Sequence, residues 1–288
     1  MSKRRPRVAV VGAGRVGRVL ALCLHKAGYR VTAVVARDEA ASQRRAAKVA
    51  RGVNAQVLTT RDAAGVADIY WLCVPDDDIA RVARELSRRG DWKGKLAFHA
   101  SGALPANELR ALRRNGAWVA SVHPMHSFLP DSRASMRGIP FGLEGDAAAV
   151  RAAEQIARRL SVDGLVYRVR AESKPLYHAL GSFSSPLLVS LLEAGEQVGR
   201  AAGVADPNPV RWNILRATLD NYEKNGADVA FGGPIRRADI GTLRKHLKAL
   251  RKLPLVRDIY IALAKNAVER LPIKDRAAVR KLLSQRSR

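Results

Sequence analysis

The feature that most restricts this chain is a glycine triplet, Gly12-Ala13-Gly14-Arg15-Val16-Gly17, set between an apolar run and an amphipathic stretch. Arg7 to Gly12 is short, β-branched and closed by glycine, the pattern of a central parallel strand. Arg15 to Ala27 reads as a helix stopped by Gly28. In that setting Gly12 permits a tight turn, Gly14 lets backbone approach a pyrophosphate, and Gly17 lets helix and strand pack closely. The helix start, with the N–H groups of Arg15 and Val16, then faces the phosphates. A plain strand-to-helix turn is the competing reading.

The rest of the first half repeats the alternation. Val31–Ala36, Ile69–Val74, Leu96–His99 and Trp118–Val122 read as strands; Ala40–Arg51, Asp76–Arg88 and Pro105–Arg114 read as helices. Phe141–Leu143 and Leu165–Val169 add two strands around a helix at Ala147–Leu160. Alternation of this kind predicts an α/β fold, a Rossmann-like parallel sheet with crossover helices. After about residue 170 strand signals stop, and helical stretches follow at Leu176–Ala202, Pro209–Asn225, Asp239–Lys252 and Val256–Leu271. The expected domains are 1–170, dinucleotide-binding, and 171–288, all-α, serving substrate and dimerisation.

The residues after the second strand discriminate between cofactors. An acidic residue there would hold the ribose 2′-hydroxyl of NAD, whereas a guanidinium grips a 2′-phosphate. The chain has Ala36-Arg37-Asp38, with Arg44 and Arg45 beyond. Arg37 therefore predicts NADP, and Asp38 leaves NAD open.

Ligands of open α/β sheets bind outside the carboxyl ends of the strands. Three segments end strands there. Val74 and Pro75 would flank the ribose and nicotinamide, with Asp76 read as a helix cap. His99-Ala-Ser101-Gly102 supplies two side chains for nicotinamide or substrate. His123-Pro-Met-His126 offers a further substrate contact; its two histidines lack other ligands nearby in sequence, so no metal is expected.

Ser173-Lys174-Pro-Leu-Tyr177-His178 opens the second half, with Ser173 as N-cap. Lys174 and His178 share a helix face. A lysine near the positive end of a helix dipole gives up its proton more readily, so Lys174 is the candidate acid in hydride transfer. Its competing reading is a solvated lysine beside a core histidine. Gly232-Gly-Pro-Ile-Arg236-Arg-Ala-Asp239 breaks the helices; Arg236 or Arg237 would bind a substrate carboxylate and Asp239 would cap the next helix, a plain surface loop being the alternative.

Together these motifs resemble a family of bacterial Rossmann-like proteins with a C-terminal domain of unknown function. That family is similar to the superfamily of β-hydroxyacid dehydrogenases, ketopantoate reductases and pyrroline-5-carboxylate reductases. The resemblance implies a C-terminal helical domain like that of 6-phosphogluconate dehydrogenase and a homodimer. In the β-hydroxyacid dehydrogenases a lysine and an asparagine four residues on carry catalysis; Lys174 matches the lysine, and His178 stands where the asparagine would be.

Composition limits the alternatives. The net charge is +25, but its clusters are short, Lys3-Arg4-Arg5 and Arg280, Lys281, Arg286, Arg288, and aromatics are only 5%. A basic surface that attracts an anionic cofactor or small anionic substrate fits better than a nucleic-acid platform. Cys23 and Cys73 lie in apolar runs and read as buried free thiols of a reducing, cytoplasmic setting. The apolar run Val8–Val11 is too short for a signal peptide, and Ala179–Leu192 is too short and polar to span a bilayer. The expectation is an NADP-dependent oxidoreductase acting on an oxo-, hydroxy- or imino-acid; a non-catalytic NADP-binding sensor is the second reading.

Overall fold

The computed structural model describes residues 5 to 285. Lys3, Arg4, Arg286 and Arg288 of the basic clusters lie outside the described residues. The chain divides into two compact units, 1–185 and 186–288.

The first unit runs β1 (Arg7–Val11), α1 (Arg15–Lys26), β2 (Arg30–Val35), α2 (Ala40–Val53), β3 (Gln56–Leu58), β4 (Ile69–Leu72), α3 (Asp76–Ser87) and β5 (Leu96–His99). A 3-10 turn, Ala106–Leu109, leads into α4 (Arg110–Arg114), then β6 (Trp118–Pro124), β7 (Phe141–Gly145), α5 (Ala147–Leu160), β8 (Val166–Arg168) and α6 (Lys174–Ser184). The strands form one sheet of eight in the order β3-β2-β1-β4-β5-β6-β7-β8. Alternation of side chains along each strand feeds two cores. Val10, Val34, Trp71 and Phe98 pack on one face with Leu20, Leu24 and Ile156 of α1 and α5. Val11, Tyr70 and Leu72 pack on the other with Ile79, Val82 and Leu86 of α3.

Strand β7 runs antiparallel to β6 and parallel to β8. The segment joining β6 to β7 contains no helix, and a parallel partner would need a crossover connection, usually helical. Two elements carry no strong sequence signal. β3 is a three-residue edge strand, and α13 (Arg276–Ser284) is a nine-residue helix capped by Asp275, whose side chain accepts from the Ala278 N–H.

The stretch expected as one helix from Leu176 to Ala202 is two, α6 and α7 (Pro186–Ala201). Pro186 disfavours helical backbone at the residue before it, and Ser185 sits at φ −135°, ψ −83°. The compact units part at this break rather than at residue 170. α6 stays with the sheet because Lys174 and Tyr177 bond to β6 and to the turn after β5.

The second unit continues with α8 (Pro207–Asn225), α9 (Ala227–Ala230), α10 (Gly233–Arg236), α11 (Ile240–Ala249), α12 (Pro254–Arg270) and α13. Its core gathers Leu243, Ala264, Val268, Val279, Leu282 and Leu283. Asp239 caps α11 as expected, accepting from the Thr242 N–H at 3.0 Å. No helix among the described residues is long and apolar enough to cross a membrane.

Candidate active site

The glycine turn has the form its sequence requires. Gly12 leaves β1 at φ +102°, which L side chains rarely adopt, and a β-carbon there would lie 2.5 Å from the Cys73 carbonyl oxygen. At Gly17 a β-carbon would overlap the Gly12 carbonyl oxygen. At Gly14, the N-cap of α1, a β-carbon would meet open space. Arg15 is exposed, Val16 is half-buried, and the first turn of α1 holds no acidic residue. The positive end of the dipole is thus uncovered. A cavity of about 220 Å³ follows, lined by Gly12, Gly14, Arg37, Arg45, Val74 and Pro75 among others. It adjoins a second, of about 410 Å³, whose walls include Arg37, Asp38, Arg61, Arg88 and Arg89. Arg37 is exposed, 3.6 Å from Glu39. A dinucleotide fits these features: an open glycine backbone, a helix start, then a cavity with arginines in its walls.

Pro75, not Asp76, occupies the N-cap of α3, and no side chain caps it. The Asp76 carboxylate instead accepts the Ser101 hydroxyl at 2.8 Å. Ser101 Oγ also accepts from the N–H groups of Ala103 and Leu104, so this side chain builds the turn after β5 and is itself almost wholly buried.

The structure corrects the reading of His99 as a cofactor contact. Its ring is fully buried and both nitrogens are engaged. Nε2 donates to the Pro105 carbonyl at 3.0 Å, so Nδ1 is the acceptor for the Ser101 N–H at 3.2 Å. Burial pushes its pKa down to about 4, and the ring stays neutral. His99 shapes the turn, and neither ring nitrogen is left free.

Lys174 is fully buried at the start of α6. Ser173 precedes it as N-cap but makes no capping bond. Lys174 Nζ donates to the Ser101 carbonyl at 3.1 Å and to Ser121 Oγ at 2.5 Å, while Ser121 Oγ donates to the same carbonyl at 3.1 Å. Burial lowers the ammonium pKa to about 8, with Glu144 and Asp76 pulling the other way. Burial thus makes this lysine give up its proton more readily than an exposed one. It is also covered, its Nζ held between the Ser101 carbonyl and Ser121.

The groups with open edges stand in front of it. His123 and Ser121 point to one side of β6, two residues apart. His123 Nδ1 pairs with Tyr177 Oη at 2.9 Å, and Tyr167 Oη donates to Tyr177 Oη at 3.3 Å. The His178 ring is exposed, edge-on to His123 at 5.9 Å. A β-carbon on Gly102 would fall 2.8 Å from His123 Nε2 and 2.5 Å from His178, so both rings rest against bare backbone. Burial pushes His123 down to about 3, with Lys174 and then His178 adding to the shift.

Arg236 lies in the other compact unit. Its Nη1 donates to the carbonyls of Asp228 at 2.6 Å and Phe231 at 2.7 Å, which ties the end of α10 to α9. His126 is exposed and stacks edge-on against Phe128 at 5.1 Å. Among the described residues no three His, Cys, Asp or Glu side chains are grouped to hold a metal ion. Ser121, Tyr177, Tyr167 and Gly142 join the site without having been singled out in the sequence. Period-two spacing from His123 was a usable signal for Ser121, and i,i+3 spacing from Lys174 for Tyr177.

Residues 1–124 match the model of a Rossmann-like domain, and residues 139–267 match a domain of unknown function, DUF2520. No curated protein matches the chain. A Bacteroides fragilis protein provisionally named an NADP oxidoreductase is 21% identical, with 93% of this chain and 99% of that chain aligned at a TM-score of 0.75. A Thermotoga maritima protein is 24% identical, with coverage of 91% and 98% and a TM-score of 0.71. An imine reductase from Myxococcus stipitatus, solved with NADP+, is 22% identical, with coverage of 97% and 100% and a TM-score of 0.63. At these identities the likeness is one of fold. The chain thus carries a match to a Rossmann-like domain followed by a match to a DUF2520 domain.

Proposed function

We propose that the protein is an NADP-dependent reductase that acts on the C=O or C=N group of a small anionic substrate. One observation carries this reading: the glycine cradle and the Lys174–Ser121–His123–Tyr177 cluster share the carboxyl-end edge of one sheet. β1 and β5 are two positions apart in the sheet, roughly 10 Å at ordinary strand spacing. That suits a dinucleotide with its diphosphate at Gly12–Gly14 and its nicotinamide beside Gly102. The imine reductase of like fold carries NADP+, which agrees with this choice of cofactor.

Bound NADPH would supply a hydride. The chain's residues do the rest. Gly12, Gly14 and the start of α1 hold the diphosphate; Arg37 and Arg45 meet the 2′-phosphate; Val74 and Pro75 flank the ribose. His123 and His178 offer hydrogen-bonding groups to the substrate. Lys174, behind them, holds the Ser101–Gly102 turn against β6 and contributes positive potential where charge builds on the reduced oxygen or nitrogen. The strongly basic surface steers an anionic acid toward the edge.

The test is NADPH consumption with a panel of oxo-acids and cyclic imines. Turnover of at least one member is expected, falling about a hundredfold in His123→Ala. Tight NADPH binding with no consumption across the panel would replace this reading with that of a sensor. A second check concerns the cofactor. Arg37→Asp should weaken NADPH about tenfold or more while sparing NADH, because only the 2′-phosphate loses a partner. Equal weakening of both would remove Arg37 from the phosphate site.

A further inference from the structure

The hydrogen bonds around His123 bear on which of its nitrogens carries the proton. β6, β7 and β8 align His123, Gly142 and Tyr167 in one row. Tyr177 of α6 lies over the middle of that row, where a β-carbon on Gly142 would stand 2.5 Å from its hydroxyl. The Tyr177 oxygen accepts from Tyr167, which leaves its single hydrogen free to go to His123 Nδ1. A neutral ring that accepts at Nδ1 must carry its hydrogen at Nε2. Among the described residues Nε2 makes no hydrogen bond, and it faces the bare backbone of Gly102.

We propose that Tyr177, oriented by Tyr167, is a positioning residue that locks His123 as the neutral Nε2–H tautomer, so that β6 presents a fixed hydrogen-bond donor to the substrate. The proposal deepens the reductase reading and rests on it. Burial and every neighbouring basic group favour the neutral ring. Lys174 and His178 face it from α6 and His99 from β5, and each lowers its proton affinity. Tyr177 is itself held protonated by burial. Glu144 on β7 accepts from the Ala106 N–H at 2.6 Å and acts on Lys174 instead. A neutral imidazole N–H can polarise a carbonyl without first losing a charge, so its contribution does not depend on protonation near neutral pH.

The experiment is nitrogen NMR of the full-length protein labelled at histidine, without cofactor, with His123 identified from the signals lost in His123→Gln. The wild type should show the Nε2–H form, neutral down to about pH 5, since the ring titrates near 3. Tyr177→Phe should release Nδ1 and give a mixture of tautomers; Tyr167→Phe should give a smaller shift the same way. In turnover, Tyr177→Phe should lower kcat about tenfold with little change in KM for NADPH. An Nδ1–H or charged His123 in the wild type, or an unchanged tautomer in Tyr177→Phe, would overturn the proposal. Failure of the wild type to consume NADPH while the tautomer is as stated would reject the reductase reading and leave the lock standing.

Discussion

Gly12→Val should abolish dinucleotide binding. Valine brings two penalties: a branched residue at φ +102°, and a β-carbon 2.5 Å from the Cys73 carbonyl oxygen. Either shift pushes the turn away from the form that lets phosphates approach. The expected loss of NADPH affinity is a hundredfold or more, about 3 kcal/mol. Gly14→Ala separates binding from folding. Gly14 has φ −71°, and its β-carbon would enter open space, so the empty protein should keep its stability. That methyl would still stand where a diphosphate comes nearest, and affinity should fall. Calorimetric titration with NADPH, beside urea unfolding of each variant, checks both. Wild-type affinity in Gly12→Val would mean that the cradle lies elsewhere.

Lys174 should make stability depend on pH in an unusual direction. Its folded pKa, about 8, lies below the ordinary lysine value of 10.5. Between these values the unfolded chain binds more protons than the folded one, so stability rises with pH. The cost of burying the charge is felt in full below about pH 8, and it is gone above 10.5. The difference amounts to about 3 kcal/mol. Lys174→Met should lose this rise. Urea unfolding of both proteins across that range isolates the effect as a difference, since the other titrating groups are shared. Parallel curves would show that Lys174 titrates as an exposed lysine does.

Much of this was legible in the sequence, for physical reasons. Gly12, Gly14 and Gly17 act locally: each is needed by backbone within a few residues, or by the neighbouring strand, and the flanking periodicities identify the turn. The helix over Ala147–Leu160 and the cap at Asp239 are local too, and both are found as expected. What was hidden depends on residues far apart in the chain. Lys174 looks exposed at the start of a helix until Ser101 and Ser121 are seen to receive it. His99 and His123 have similar strand-end contexts, yet Pro105 consumes the donor of one and Tyr177 engages the other. Gly142 reads as an ordinary strand glycine, and only the overlying Tyr177 ring gives it a reason. Arg236, whose Gly-Pro segment forms the short helix α10, binds the carbonyls of Asp228 in α9 and of Phe231 just after it. The break at Ser185 was the exception: Pro186 announced it, and the strong apolar periodicity on either side masked it.

A crystal structure of the chain with NADPH bears most directly on the whole account. The diphosphate should rest on Gly12–Gly14, and the nicotinamide should reach the Gly102–His123 edge to within about 4 Å, ordinary contact distance. A dinucleotide seated away from the glycine turn, or a nicotinamide directed away from His123, would contradict it.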